Sequence, residues 1–249
     1  MEVVEQNKVD RQQIDYTAYA ASYDRNRHEG RRNAYLEEVR FLAFSRLLQA
    51  IPADAQILDV GCGTGRGLGY LAQAGYGNLT GLDYTPAMLE VADQNLKSRF
   101  PERSIPLMQG DAFHLPFEDK SLDCVVSFNF LHMFRLDLQD QLIREMARVV
   151  RPGGRLIVEL ESIHKGLFFT RYLEQRRHQA TTKYNSIREV RKLFSGDRFS
   201  DIRILGSALP RMYVVGERLP RLGLAIESLA WLPGLKWLAS RLVVSAQVR

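Results

Sequence analysis

The chain has 249 residues, 45% of them hydrophobic and 25% charged, which is ordinary for a globular protein and enough for one large α/β domain or two small ones. A net charge of +5 permits anionic partners without requiring one. The two cysteines, Cys62 beside glycines and Cys124 in an apolar run, are not placed for a bridge, and no Cys/His cluster has zinc spacing, so a reducing compartment and no metal are expected. Residues 1–13 are polar, unlike a secretory signal, and a cytoplasmic location is expected. From Asp15 to Arg25 the three- and four-residue spacing of Tyr16, Tyr19 and Tyr23 puts them on one helical face. That face either packs on the domain or forms a lid over a ligand, and the two readings are compatible. The cluster Arg25, Arg27, His28, Arg31 and Arg32 reads first as a solvated helix face and second as a grip on an acidic group. Leu36 to Leu48 continue as a buried helix that leads through Pro52 into a strand.

That strand is Ile57-Leu58-Asp59-Val60, and Gly61-Cys62-Gly63-Thr64-Gly65 follows it before a helix near Leu68. Strand, tight turn and helix make the first crossover of an open α/β sheet. Glycine permits positive φ and lets a ligand lie against the main chain, while the helix start aims free N–H groups at it. A dinucleotide fingerprint, G-x-G-x-x-G, fails in both frames, because its third glycine is Arg66 counted from Gly61 and Leu68 counted from Gly63. The pattern D-x-G-x-G-x-G instead resembles motif I of class I S-adenosylmethionine-dependent methyltransferases. The second strand, Leu79 to Asp83, ends in an acid about 20 residues on, the place of a ribose-binding carboxylate. The alternative for Asp83 is a cap region for the helix opening at Thr85-Pro86. Tyr84 and Met88 would flank the ligand or simply pack.

Strand three, within 105–112, closes with Gly110-Asp111-Ala112, which resembles the family segment whose acid accepts from the adenine amine. Leu115-Pro116-Phe117-Glu118-Asp119-Lys120-Ser121-Leu122-Asp123 resembles the type 11, ubiquinone-biosynthesis-like subgroup, and Cys124 to Phe128 is the fourth strand. Its carboxyl end, Ser127 to Phe134, should face the reacting group; it lacks the acidic-or-amide, Pro, Pro, aromatic segment of base-amine methylation. Within it His132 is a candidate general base or a satisfied structural residue. An amphipathic helix (Leu142 to Val150) precedes Arg151-Pro152-Gly153-Gly154 and strand five at Arg155 to Leu160, again a family-like segment. Basic, helix-forming residues 162–198, including Tyr172 and Leu173, lead to strands six (201–205) and seven (242–248). Between these lies an apolar insert, Leu219 to Leu238, with Trp231 and Trp237, interrupted by Pro220, Glu227 and Pro233 and so unsuited to span a bilayer. It caps the core, roofs an apolar pocket, or touches a membrane surface.

The alternating βα pattern establishes a doubly wound α/β class. The resemblance, good over about 55–161, implies a Rossmann-like, seven-stranded, mostly parallel sheet with helices on both faces and a reversed last strand. It implies one domain over 1–249, with an N-terminal helical lid (1–50), a cofactor-binding core (51–161) and an acceptor-side half (162–249) carrying the insert (about 208–240). The implied activity is methyl transfer from S-adenosyl-L-methionine to a small molecule, releasing S-adenosyl-L-homocysteine. Alternatives are nucleic-acid methylation and a silent cofactor-binding relative. The expected cofactor residues are Asp59, Gly61, Cys62, Gly63, Gly65, Asp83, Tyr84, Met88, Asp111, Ala112, Phe128 and Asn129. His132 and Tyr23 are the catalytic candidates, and a Tyr–Asp pair such as Tyr23-Asp24 resembles the N-terminal cap of small-molecule members.

Overall fold

The computed structural model describes residues 16–28, 30–163, 183–209 and 212–249. The polar start of the chain, the side chains of Arg25, Arg27 and His28, and Tyr172 and Leu173 lie outside the described residues. A 3-10 turn (Thr17–Tyr19) leads into α1 (Ala20–His28) and α2 (Arg31–Leu48). The alternating core follows as β1 (Gln56–Val60), α3 (Arg66–Gln73), β2 (Asn78–Asp83), α4 (Pro86–Arg99), β3 (Leu107–Gln109) and β4 (Leu122–Ser127). After a 3-10 turn (Leu131–Met133) come α5 (Leu136–Val149), β5 (Val150–Glu161), α6 (Ile187–Leu193) and β6 (Phe199–Ser207). The insert comprises α7 (Tyr213–Gly216), α8 (Pro220–Glu227) and two 3-10 turns (Ser228–Trp231, Leu235–Leu238), and β7 (Arg241–Val248) ends the chain.

The strands form one seven-stranded sheet in the order β3-β2-β1-β4-β5-β7-β6. All neighbours pair in parallel except those of β7, which is antiparallel to both β5 and β6. Strand periodicity divides the core in two. Leu58, Val125, Leu156, Val158 and Val244 face α5 and α6. Ile57, Cys124, Val126, Ile157 and Val243 face α2, α3 and α4. Leu142, Ile143 and Met146 of α5 are fully buried, each worth roughly 1.5–3 kcal/mol of hydrophobic transfer.

Three details differ from the sequence reading. Strand β3 shrinks to Leu107–Gln109 at the sheet edge. Strand β5 begins at Val150, because Val150 already pairs with Leu122 and a bulge absorbs the Pro-Gly-Gly stretch before Arg155 meets Cys124. The 3-10 turn at Thr17–Tyr19 changes the helical phase, so Tyr19 is 60% exposed and leaves the face shared by Tyr16 and Tyr23.

The insert packs on α2 and β6. Glycines permit the close approach: a Cβ on Gly216 would come 2.1 Å from the Tyr35 ring of α2, and one on Gly206 of β6 would come 2.7 Å from Ala230 O. No helix among the described residues is long and apolar enough to cross a membrane.

Candidate active site

Strand order reverses between β1 and β4, and beyond the carboxyl ends of β1, β2 and β4 lies a cleft of about 890 Å³ counted out to its mouth. Its floor is the glycine turn. Gly61 N and Cys62 N both donate to Leu82 O, at 2.8 and 3.0 Å, pinning the turn to β2. Gly61 (φ 73°) and Gly63 (φ 52°) are left-handed. At Gly61 a Cβ would strike the Phe130 ring at 2.4 Å, whereas at Gly63 nothing among the described residues lies within 4 Å and a Cβ would point into open space.

Asp83 stands at the end of β2 in the cleft wall. Its Oδ2 accepts from Gly63 N (2.8 Å) and its Oδ1 from Thr85 N (2.9 Å). Asp83 thus braces the cap of α4 and the glycine turn while also lining the cleft. Burial pushes its carboxyl above the usual range, and the N–H groups of Thr85, Gly63 and Tyr84 hold it back. Asp111 lines the cleft next along, its Oδ1 accepting from Phe113 N at 2.9 Å and its Oδ2 3.2 Å from His114 Nδ1. Tyr84, Met88, Ala112, Asn129, His132 and Tyr23 line it too.

Asn129 has φ 50°, uncommon without a Cβ-free residue, and its N–H donates to Glu159 Oε2 at 3.0 Å. Glu159 is buried at the end of β5, with Arg40 Nε of α2 at 2.9 Å and Arg241 Nε of β7 at 3.2 Å. Burial lowers the Arg40 pKa, opposed by Glu159. This buried ion network ties three elements to the strained residue. Sequence reasoning missed it, although charged residues in a strand as apolar as Leu156-Ile157-Val158-Glu159-Leu160-Glu161 were its visible signal.

The upper wall is aromatic and apolar. Tyr16 and Tyr23 meet edge to face at 5.8 Å, and the Tyr16 hydroxyl lies 3.2 Å from Met133 Sδ. Phe134 packs edge to face on both Phe130 (5.0 Å) and Phe113 (5.6 Å). Helix α1 is fastened to the floor by Asp24: its Oδ1 accepts from Thr64 Oγ1 at 2.8 Å and its Oδ2 from Asn95 Nδ2 at 3.1 Å. Among the described residues the insert contributes nothing to the lining. The roof therefore comes from the N-terminal tyrosines and the segment after β4.

Four expected cofactor residues stand behind the cleft. Cys62 turns its thiol into the α2–α3 core, where burial pushes its pKa well up. Gly65 (φ 78°) caps α3 and packs on Ala92 and Leu96 of α4. Phe128 packs on Phe44 (4.1 Å) and Phe41 (5.8 Å). Asp59 lies 1% exposed against the first turn of α3, where a Cβ on Gly67 would come 2.6 Å from its Oδ2. Its Oδ1 has no hydrogen-bond partner among the described residues, and burial with the nearby Asp83 pushes its carboxyl well above the usual range.

The family described as "Methyltransferase domain" matches residues 58–158, the stretch that builds this cleft. Residues 58–158 thus match a methyltransferase domain, and the fold around them is that of class I methyltransferases. Demethylmenaquinone methyltransferase of Lactobacillus johnsonii is 40% identical over 101 residues, 40% of this chain and 41% of that protein. Probable tRNA methyltransferase 9B of Mus musculus is 30% identical over 128 residues, 50% of this chain and 26% of that protein. The chain spans less than half the length of the curated relatives it matches. Among solved structures, magnesium protoporphyrin IX methyltransferase from Synechocystis with bound S-adenosylhomocysteine superposes with a TM-score of 0.68 at 17% identity, covering 98% of this chain and 100% of that one. The fold is thus that of S-adenosylmethionine-dependent methyltransferases. The methyltransferase domain also fits the donor chemically: the open side of Gly63 admits close approach to the main chain, and Asp83 and Asp111 put two carboxylates along one wall. No group of three potential metal ligands occurs among the described residues.

Proposed function

We propose that the protein transfers a methyl group from S-adenosylmethionine to a small, largely apolar acceptor of aromatic, quinone-like, lipid-like or natural-product type. The observation that carries this reading is the mixed lining of the cleft. Carboxylates and glycine backbone, suited to the donor, share it with Tyr16, Tyr23, Phe113, Phe130, Met133 and Phe134, suited to an apolar acceptor. When bound, the donor supplies a methyl group already activated by its sulfonium, so no covalent intermediate with the protein is required. The protein aligns the reactants and excludes water. Asp83 holds the ribose hydroxyls, Asp111 with the Ala112 N–H reads the adenine, and Gly63 lets the donor lie on the turn. His132, on the same wall as Phe130 and Met133, takes the acceptor proton where the nucleophile is a hydroxyl or amine. Tyr23 orients the acceptor from above.

The relatives' names support both a quinone and a tRNA acceptor. The tied-down helix α1 favours the smaller one, since Asp24 anchors the tyrosines across the side where a nucleic acid would approach. An acceptor dissolved in lipid would be met at a membrane surface, and the insert at 219–238 gives the protein a means of peripheral contact. A cytoplasmic location accords with this reading. The test is calorimetry with S-adenosylhomocysteine and NAD, followed by release of S-adenosylhomocysteine with phenols, demethylated quinones and bulk tRNA. Binding of NAD without any S-adenosyl ligand overturns the donor assignment. Turnover of tRNA alone, weakening steeply with salt, replaces the acceptor class with nucleic acid.

A further inference from the structure

Of the eleven large hydrophobic side chains that are exposed among the described residues, seven fall between Val214 and Leu238. Leu219, Leu222, Leu229, Leu232, Leu235 and Leu238 are each 40–57% exposed. They recur at three-residue intervals within each half of the insert, and Leu235 and Leu238, one turn apart in a 3-10 helix, share a face. The inner side of the insert is committed elsewhere, through Gly216 and Gly223 against Tyr35 and Ala230 against Gly206. The outer side thus displays apolar side chains beyond what scattered surface residues need. Its fully exposed charges, Arg218 and Arg221, are of one sign, while Lys236 and Glu217 are half-buried and Glu227 is buried. The insert leaves the carboxyl end of β6, which runs parallel to β5 because both oppose β7. It therefore sits at the same end of the sheet as the cleft.

We infer that this outer face docks on an anionic lipid surface, with the leucines entering the headgroup boundary and Arg218 and Arg221 pairing with lipid phosphates. The charge pattern selects this occupant over a second copy of the chain. In a two-fold contact the same patch meets itself, and a patch whose fully exposed charges are both arginines offers them no exposed acid to pair with. Anionic headgroups are complementary to them, and exposed leucines add the apolar half of interfacial binding. The inference deepens the peripheral contact proposed above and is independent of donor binding and of acceptor identity.

Both tryptophans of the chain, Trp231 and Trp237, lie in the insert, so its docking reports itself in their emission. The full chain is mixed with vesicles of phosphatidylcholine, alone or with phosphatidylglycerol, and followed by emission and co-sedimentation. Binding is expected with the anionic vesicles, weakening with salt. The pair Leu235→Ser with Leu238→Ser, and separately Arg218→Gln with Arg221→Gln, should each lower partitioning roughly tenfold or more. All four side chains lie at the surface, and S-adenosylhomocysteine affinity should stay unchanged, which separates lost docking from lost folding or a failed donor reading. Absence of vesicle binding, equal binding to neutral and anionic vesicles, or insensitivity to either pair overturns the inference. So does light scattering that shows a dimer dispersed by the leucine pair.

Discussion

Three glycines with positive φ offer a test in which geometry assigns a different cost to each. At Gly63 (φ 52°) an added methyl meets no atom of the described residues within 4 Å, so Gly63→Ala costs stability through left-handed backbone, about 1–2 kcal/mol. The methyl enters the space where the donor would lie on the turn. Overpacking of about 1–3 kcal/mol then weakens binding roughly 5- to 150-fold. Gly75→Ala, in the turn after α3 (φ 98°, also nothing within 4 Å), carries a similar backbone cost but lies away from the cleft and should leave affinity unchanged. Gly61→Ala drives a Cβ to 2.4 Å from the Phe130 ring, so both stability and the cleft wall should suffer. Urea unfolding measures the first quantity and calorimetric titration with S-adenosylhomocysteine the second. Wild-type affinity in Gly63→Ala, or an equal loss of affinity in Gly75→Ala, refutes close approach of the ligand to Gly63.

Asp83→Ala should weaken S-adenosylhomocysteine binding by roughly 1–3 kcal/mol while also stranding the N–H groups of Gly63 and Thr85. Unchanged affinity in the folded variant, measured by calorimetry, would reduce Asp83 to a cap. Glu227 is 2% exposed, and burial pushes its carboxyl from 4.5 up to about 7. Between those values the folded state holds a proton that the unfolded state has lost, so stability falls as pH rises through that window and levels off above it. Glu227→Gln, which keeps an acceptor for Leu209 N–H, should remove the slope and gain about 1–3 kcal/mol at pH 8; identical pH profiles in urea unfolding would contradict this. Removing Glu159 with Glu159→Ala leaves Arg40 and Arg241 without their shared carboxylate and should cost about 3–5 kcal/mol, read as a large drop in thermal midpoint. A near-native midpoint would show that the network carries little.

The glycine turn and the two cleft carboxylates were legible because their demands fall on local sequence. A turn with glycines at 61, 63 and 65, an acid closing β2 and Gly110-Asp111-Ala112 after β3 need only the right register relative to one strand each. Even there, sequence could not separate residues facing the ligand from those facing the core. Cys62 and Gly63 are neighbours in the same turn, yet one enters the α2–α3 core and the other faces open space. Phe128 and Asn129 divide in the same way, since strand β4 ends at Ser127 and the chain then swings through a left-handed residue. The tyrosine spacing failed at Tyr19 for a related reason: a 3-10 turn advances by three residues rather than 3.6, and nothing in the residue types announced it.

The rest of the cleft surroundings was illegible for a different reason, since its contacts join residues far apart in the chain. Tyr16 reaches Met133, Asp24 reaches Thr64 and Asn95, and Arg40 reaches Glu159. None of these pairs has a spacing that local periodicity can show. The insert illustrates the same limit. Its apolar content suggested a core cap first, a roof second and a membrane contact third, and what bears on them is where Gly206, Gly216 and Gly223 let it pack. Those glycines draw its inner face onto α2 and β6, which removes it from the cleft lining and turns its leucines outward. The buried Glu159 then becomes intelligible as a joint. It connects α2, on which the insert rests, to the Asn129 backbone in the cleft wall, so the two halves of the domain meet through one carboxylate.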